Sequence, residues 1–225
     1  MKVVFTALCA ILLCVPAILA EEHSAGRKLG ASTETIYSQP YKRASITLDR
    51  KGWALTPGYV SSEDRRFGFA LGGYRFKREL EHGGEIFAEP HVGFASGHAL
   101  GRTAVFGGRA ELESHKWIAA SWVDAYRGGK VNFATCEPLA EASRYVGSGF
   151  FLGATSSCYI GPANEAKEEH TGHEPAAAAH APTEYLYFAG PAVSFRRGRF
   201  LGGVSYEVGK HNERFLAGYV SIRWR

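Results

Sequence analysis

The chain has 225 residues, of which 26 are basic and 22 acidic, for a formal charge of +4. A balance this even, with no basic stripe, excludes nucleic acid as a partner class. Aromatics are 13% of the chain and glycine contributes 27 residues, a composition that favours short strands in a barrel or sandwich over a helical protein.

Residues 1–20 carry one early charge, Lys2, then an apolar run from Val3 to Leu13, then Pro16-Ala17-Ile18-Leu19-Ala20 ahead of Glu21-Glu22. That order predicts a secretory signal peptide cleaved after Ala20; the run is too short for a membrane anchor, and no basic flank follows it. Cys9 and Cys14 leave with the signal. Cys136 and Cys158 remain, and two cysteines in an exported chain are expected to form one disulfide. A metal pair would need partner ligands that the sequence does not put beside them.

Residues 21–43 are polar and aperiodic and predict a flexible lead before one β domain at 44–225. Ala44–Leu55 is a weak strand broken near Lys51-Gly52, and Thr56–Arg66 predicts a loop. Phe67–Lys77 is a strong strand, followed by a polar turn over Arg78–Gly84. Glu85–Ser96 is the next, its Pro90 marking a bulge or a locally unpaired position. Thr103–Glu113 and Lys116–Tyr126 flank a tight turn at Ser114-His115. After Gly128-Gly129 a short return over Val131–Ala134 is expected, then a loop over Cys136–Arg144, then the strand Val146–Ser156.

Residues 161–183 are low in complexity and hold His170, His173 and His180 among acids, alanines and prolines. Imidazoles near carboxylates can collect zinc or copper. Their spacing is not that of a closed four-ligand site, so the expectation is a solvated mobile loop and no metal. The runs Glu184–Phe195, Phe200–Val208 and Phe215–Trp224 close the chain with short breaks between them, the pattern of up-and-down antiparallel neighbours.

Within the runs the side chains alternate, as they must on a pleated strand. Arg109, Glu111 and Glu113 share one parity against Ala104, Phe106, Ala110 and Leu112; Glu85, Glu89 and His91 oppose Ile86, Ala88, Val92 and Phe94. With Arg75 on a neighbouring run, these residues predict an interior ion-pair network of Arg75, Glu89, His91, Arg109 and Glu111. The apolar parity is rich in Ala, Gly and aromatics, and the aromatics cluster at run ends (Trp117, Tyr126, Tyr185, Tyr187, Tyr206, Tyr219 and Trp224). Run ends are where a lipid-facing barrel puts its interfacial girdles. The expected fold is all-β: a transmembrane, up-and-down antiparallel barrel of eight strands, or ten if Ala44–Leu55 and Val131–Ala134 are counted.

In its signal peptide, aromatic-rich alternating runs and final run through Ile222-Arg223-Trp224, the sequence resembles the small outer-membrane β-barrels of Gram-negative bacteria. The resemblance covers Ala44 to Arg225 and is architectural. Such proteins commonly end on the aromatic, whereas here Arg225 follows Trp224. The resemblance implies an outer-membrane surface protein with a structural or interaction role, its interior plugged by polar side chains and without a wide pore. Membrane lipid, lipopolysaccharide and a protein met through the loops are the partners it implies; no cofactor is expected. A soluble periplasmic or secreted barrel for a small apolar ligand is the alternative outside the membrane.

Some barrels of this size modify lipids. Ser205, Glu207 and His211 could supply a nucleophile, an acid and a base, but the His–x–Ser arrangement of the barrel-type lipid A deacylases is absent. Glu89 with His91 is a second acid–base pair. Both sets are better explained as lumenal polar groups, and an enzyme is the less favoured reading.

Overall fold

The structure, a computed structural model, describes residues 30–38, 41–62, 65–80, 84–130, 132–162, 183–209 and 213–224. The expected signal peptide, most of the segment 161–183 with its three histidines, and His211 lie outside the described residues. The strands are β1 (Gly30–Ser38), β2 (Tyr41–Arg50), β3 (Trp53–Ser61), β4 (Arg66–Tyr74), β5 (Phe76–Leu80), β6 (Gly84–Gly97), β7 (Gly101–Glu113), β8 (Trp117–Arg127), β9 (Phe133–Gly147), β10 (Phe150–Pro162), β11 (Thr183–Arg197), β12 (Phe200–Gly209) and β13 (Arg214–Trp224). Each pairs antiparallel with its neighbours in one sheet; β1 pairs with β13, and β4 with β6, so the sheet closes. Strands β4 and β5 share the partner β6 and occupy one place in the wall, so the closed barrel has twelve places.

Twelve places correct the expectation of eight or ten. Gly30–Ser38, assigned to the flexible lead, is strand β1, and Tyr41–Arg50 is strand β2. Residues 56–61, expected in a loop, complete β3. The segment Cys136–Arg144, expected as a loop, lies inside the 15-residue strand β9. Its Glu137-Pro138-Leu139 falls where the register with both β8 and β10 shifts. A proline has no N–H for the ladder, and a bulge is where a sheet tolerates one. Pro90 meets the same need differently. It lies opposite the gap between β4 and β5, after the Gly73–His91 pairing ends and before Phe76–Ala88 begins.

One end of the barrel has tight turns: Lys51-Gly52, 114–116, Ser148-Gly149 and 198–199. Lys51 and Gly52 both have positive φ (52° and 88°), as do Ser148 and Gly149 (49° and 86°). This is the type I′ geometry, whose twist matches that of the flanking strands. The opposite end carries the longer connections, including residues 163–182.

The wall sorts residues by parity. Outward, Val92 and Phe94 of β6, Phe106 of β7, Val123 of β8, Leu152 of β10, Val204 of β12 and Leu216 of β13 are exposed. At the turn end the outward set becomes aromatic: Trp53, Tyr74, Phe76, Trp117, Tyr145, Phe150, Phe200 and Trp224. Trp53 and Tyr74, register partners, meet edge to face at 5.2 Å, and Phe76 continues the row at 5.0 Å from Tyr74.

Inward, the polar filling expected throughout the lumen holds for only part of it. A cluster of Val60, Phe67, Phe69, Leu71, Ala95, Leu100, Val105, Trp122, Tyr126 and Phe133 fills the β3–β9 side toward the longer connections. In β4 the greasy parity therefore faces in, and Gly68, Ala70 and Gly72 face out. Phe133 stacks on Tyr126 at 4.3 Å, and Phe67 packs edge-on against both. A lumen enclosed by twelve strands exceeds what small side chains can fill. Large aromatics supply the missing volume.

Candidate functional site: the charged layer of the lumen

Below the aromatic layer, on the turn side, lies a set of charges contributed by opposite walls. Arg109 of β7 reaches Glu34 of β1 at 2.9 Å and also pairs with Glu111 on its own strand. Arg223 of β13 donates to Glu111 at 2.6 Å and pairs with Glu113; Arg196 of β11 meets Glu113 at 2.8 Å. Strands β13 and β7 stand six places apart in either direction around the ring, so the bonds of Arg223 cross its full width. The strands that supply the charges follow from the alternation: Arg109, Glu111 and Glu113 are successive inward positions of β7.

Arg75 belongs to a second group. It lies in the break between β4 and β5, where its amide donates to the Gly52 carbonyl at 2.6 Å instead of to the ladder. Its guanidinium holds Glu89 with two bonds, Nε at 2.9 Å and Nη2 at 2.6 Å, and reaches Asp49 of β2 at 3.1 Å. A two-armed contact of this kind fixes geometry as well as charge. Toward the rim, Lys77 pairs with Glu85 at 2.7 Å.

The third group joins the two layers. His91 Nε2 and Asp124 Oδ1 share a bond of 2.6 Å, and Trp122 Nε1 donates to Asp124 Oδ2 at 2.9 Å. Arg43 of β2 lays its guanidinium 3.4 Å from the Trp122 ring centre, reaching across from β2 to β8. The cation lies over the ring face, where the π-quadrupole attracts it.

Of the five residues expected to interlock, Arg75 meets Glu89, and Arg109 meets Glu111. Glu89 and Arg109 are register partners, yet the ion pairs of Arg109 go to Glu34 and Glu111. His91 takes Asp124 as its partner. Sequence reasoning missed Glu34, Arg43, Asp49, Asp124, Arg196 and Arg223. Asp124 had left a trace, as the acid that shares a parity with Trp122 and Tyr126.

Ser205 and Glu207 face inward together on β12. Ser205 donates to Glu207 at 3.1 Å, and Ser157 of β10 donates to its other oxygen at 3.2 Å. Glu207 is fully buried. Among the described residues neither Ser205 nor Glu207 bonds to a histidine, and the arrangement satisfies a buried acid with two hydroxyls. Also among the described residues, no group of three or more His, Cys, Asp or Glu side chains is placed to hold a metal ion. Cys136 and Cys158 are register partners across β9 and β10, near the end with the longer connections.

Two spaces adjoin the charged layer. A cavity of about 260 Å³ opens at the turn end beside Asp49, Arg75, Lys77, Glu85 and Trp224. At Arg109, Glu111 and Arg223 it meets a second space of about 30 Å³, room for a water or two. Of the charged residues around these spaces Glu34 and Glu111 are buried, while the Asp49 and Lys77 side chains toward the turn end are 38% and 44% exposed.

No protein-family model matches the chain, and none of the curated proteins does. Among solved structures, the barrel is similar to the KdgM porin, with a TM-score of 0.49 and 9% identity over 87% of this chain and 98% of that one. It is similar also to the NanC porin, at 0.45 and 6% over 88% of this chain and 100% of that one. OccK5 of Pseudomonas aeruginosa gives 0.42 and 6% over 87% of this chain and 66% of that one.

Proposed function

We propose that this chain is an exported protein of the bacterial outer membrane whose lumen is shut by its own side chains. It works through its loops and outer wall as a structural or interaction protein, and not as a diffusion channel. The observation that carries the reading is the crossing of the lumen by Arg109–Glu34 and Arg223–Glu111, bonds of 2.9 and 2.6 Å between walls far apart in the ring.

The membrane part rests on elementary energetics. A barrel whose exterior exposes Phe94, Phe106, Val123, Val204 and Leu216 in one belt would aggregate in water, while hydrocarbon solvates it. Closure is the other half, because an open edge would leave backbone N–H and C=O groups unsatisfied in lipid. The strands forming the twelve wall places run mostly 9–15 residues, long enough to cross hydrocarbon when tilted. The turn-end aromatics from Trp53 to Trp224 suit one interface.

Export by residues 1–20, and a disulfide between Cys136 and Cys158 supported by their register, belong to the same proposal. Membrane lipid is the immediate partner. The test is fractionation with outer membranes together with heat-modifiable migration on a gel. Recovery as a detergent-free soluble monomer would return the soluble-barrel reading.

A further inference from the structure

The outer wall is not uniform. Arg66 of β4, Arg102 of β7 and Arg127 of β8 are exposed at the end with the longer connections. Each lies on the outward parity, since the adjacent Phe67, Thr103 and Tyr126 are buried inside. Arg102 pairs in register with Ser96 of β6. Arg127, whose partner is Ala104, lies diagonal to Arg102, and Gly68, the partner of Ser96, lies two residues from Arg66. Neighbouring strands stand about 4.8 Å apart, so three long guanidinium stems can converge around the Ser96 hydroxyl.

Directly below on the same wall, Phe94, Val92, Phe106 and Val123 are 64%, 59%, 52% and 48% exposed. Among the described residues, the outward parities of β4, β6, β7 and β8 carry no acid. The opposite wall differs at this level. It presents Tyr185, Tyr187 and Tyr206, with Glu213 beside Arg214.

We infer that this wall docks a phosphorylated, multiply acylated lipid, with its phosphates on Arg66, Arg102 and Arg127 and its acyl chains along Phe94, Val92, Phe106 and Val123. The inference rests on the proposed membrane reading and names the lipid. Guanidinium forks match phosphate geometry, and the apolar ladder beneath them suits chains that a free anion lacks.

The test places the full chain in phosphatidylcholine nanodiscs doped with bis-phosphorylated lipid A and counts retained lipid by native mass spectrometry. The Arg66→Gln/Arg102→Gln/Arg127→Gln protein is expected to lose retention on the order of a hundredfold, and each single variant about fivefold. The single variants keep the test open should the triple variant not fold. Arg144→Gln/Arg214→Gln, exposed elsewhere on the barrel, should retain lipid like the wild type. Equal retention by the triple variant and the wild type, equal retention of dephosphorylated lipid A, or displacement by inorganic phosphate would each overturn the inference. Insertion is scored separately by heat-modifiable migration, so a chain that never enters the disc overturns the membrane reading and not the lipid assignment.

Discussion

Arg223 of the last strand and Glu111 of β7 are bonded at 2.6 Å across the full width of the barrel. A contact between diametrically opposed strands bridges the lumen at that level. It exists because Arg223 is long, because Glu111 lies between two other inward charges of β7, and because Arg109 brings Glu34 in from β1. Each carboxylate so held is desolvated, and its stability depends on its partner remaining in place.

That dependence gives the first prediction. Removing one member of a buried ion pair strands the other, at a cost of about 3–5 kcal/mol. Arg109→Met should lower the unfolding free energy in micelles by that order. Adding Glu34→Leu should recover part of the loss by removing the carboxylate left stranded, since Glu111 keeps Arg223. A denaturant series on the two variants measures it, and equal destabilisation by the single and double changes would count against the network.

The aromatic layer gives the second. Trp122 is buried under Arg43, while Phe106 faces outward. Trp122→Ala should cost about 3–5 kcal/mol, seen as a lower temperature for the heat-induced gel shift. Phe106→Ala should leave that temperature nearly unchanged in detergent.

Direction of the exterior is the third. Val204 sits midway along β12 and Phe200 at its turn end, and both are exposed. If lipid surrounds the wall, Val204→Arg should destabilise folding into vesicles by about 2–4 kcal/mol, and Phe200→Arg by roughly 0–1. Two equally small effects would mean that water meets both.

The expected disulfide is the fourth. Cys136 and Cys158 are opposite one another on adjacent strands, so the mature protein should show no free thiol before reduction. Cys158→Ser should cost roughly 3 kcal/mol on the loop-entropy relation. Intact-mass thiol labelling with and without reductant settles the first point and a denaturant melt the second.

How far the sequence disclosed this arrangement differs from strand to strand. On β6, β7, β12 and β13 the alternation is clean, and the exposed and buried sides follow the parities of the sequence. On β1 it fails, because Ala31 and Glu34 are buried on opposite parities. On β9 the bulge at Pro138 interrupts the period, and a polar stretch with a proline then has the appearance of a loop. The interior was only half legible for another reason. Parity says which residues share a face, but lumen and lipid accept aromatics alike, so Phe67 and Phe69 gave no sign that they point inward. Nor does one strand's pattern say what faces it across the ring. Arg75–Glu89 joins adjacent wall places and could be anticipated. Arg223–Glu111 joins distant ones and could not.

Single-channel recording in planar bilayers tests most directly whether side chains shut the lumen. The account predicts that the wild-type barrel conducts almost nothing, while Arg109→Ala/Arg223→Ala, with the crossing guanidinium groups removed, opens discrete steps. Stable open-channel conductance from the wild type, unchanged in that variant, would contradict it.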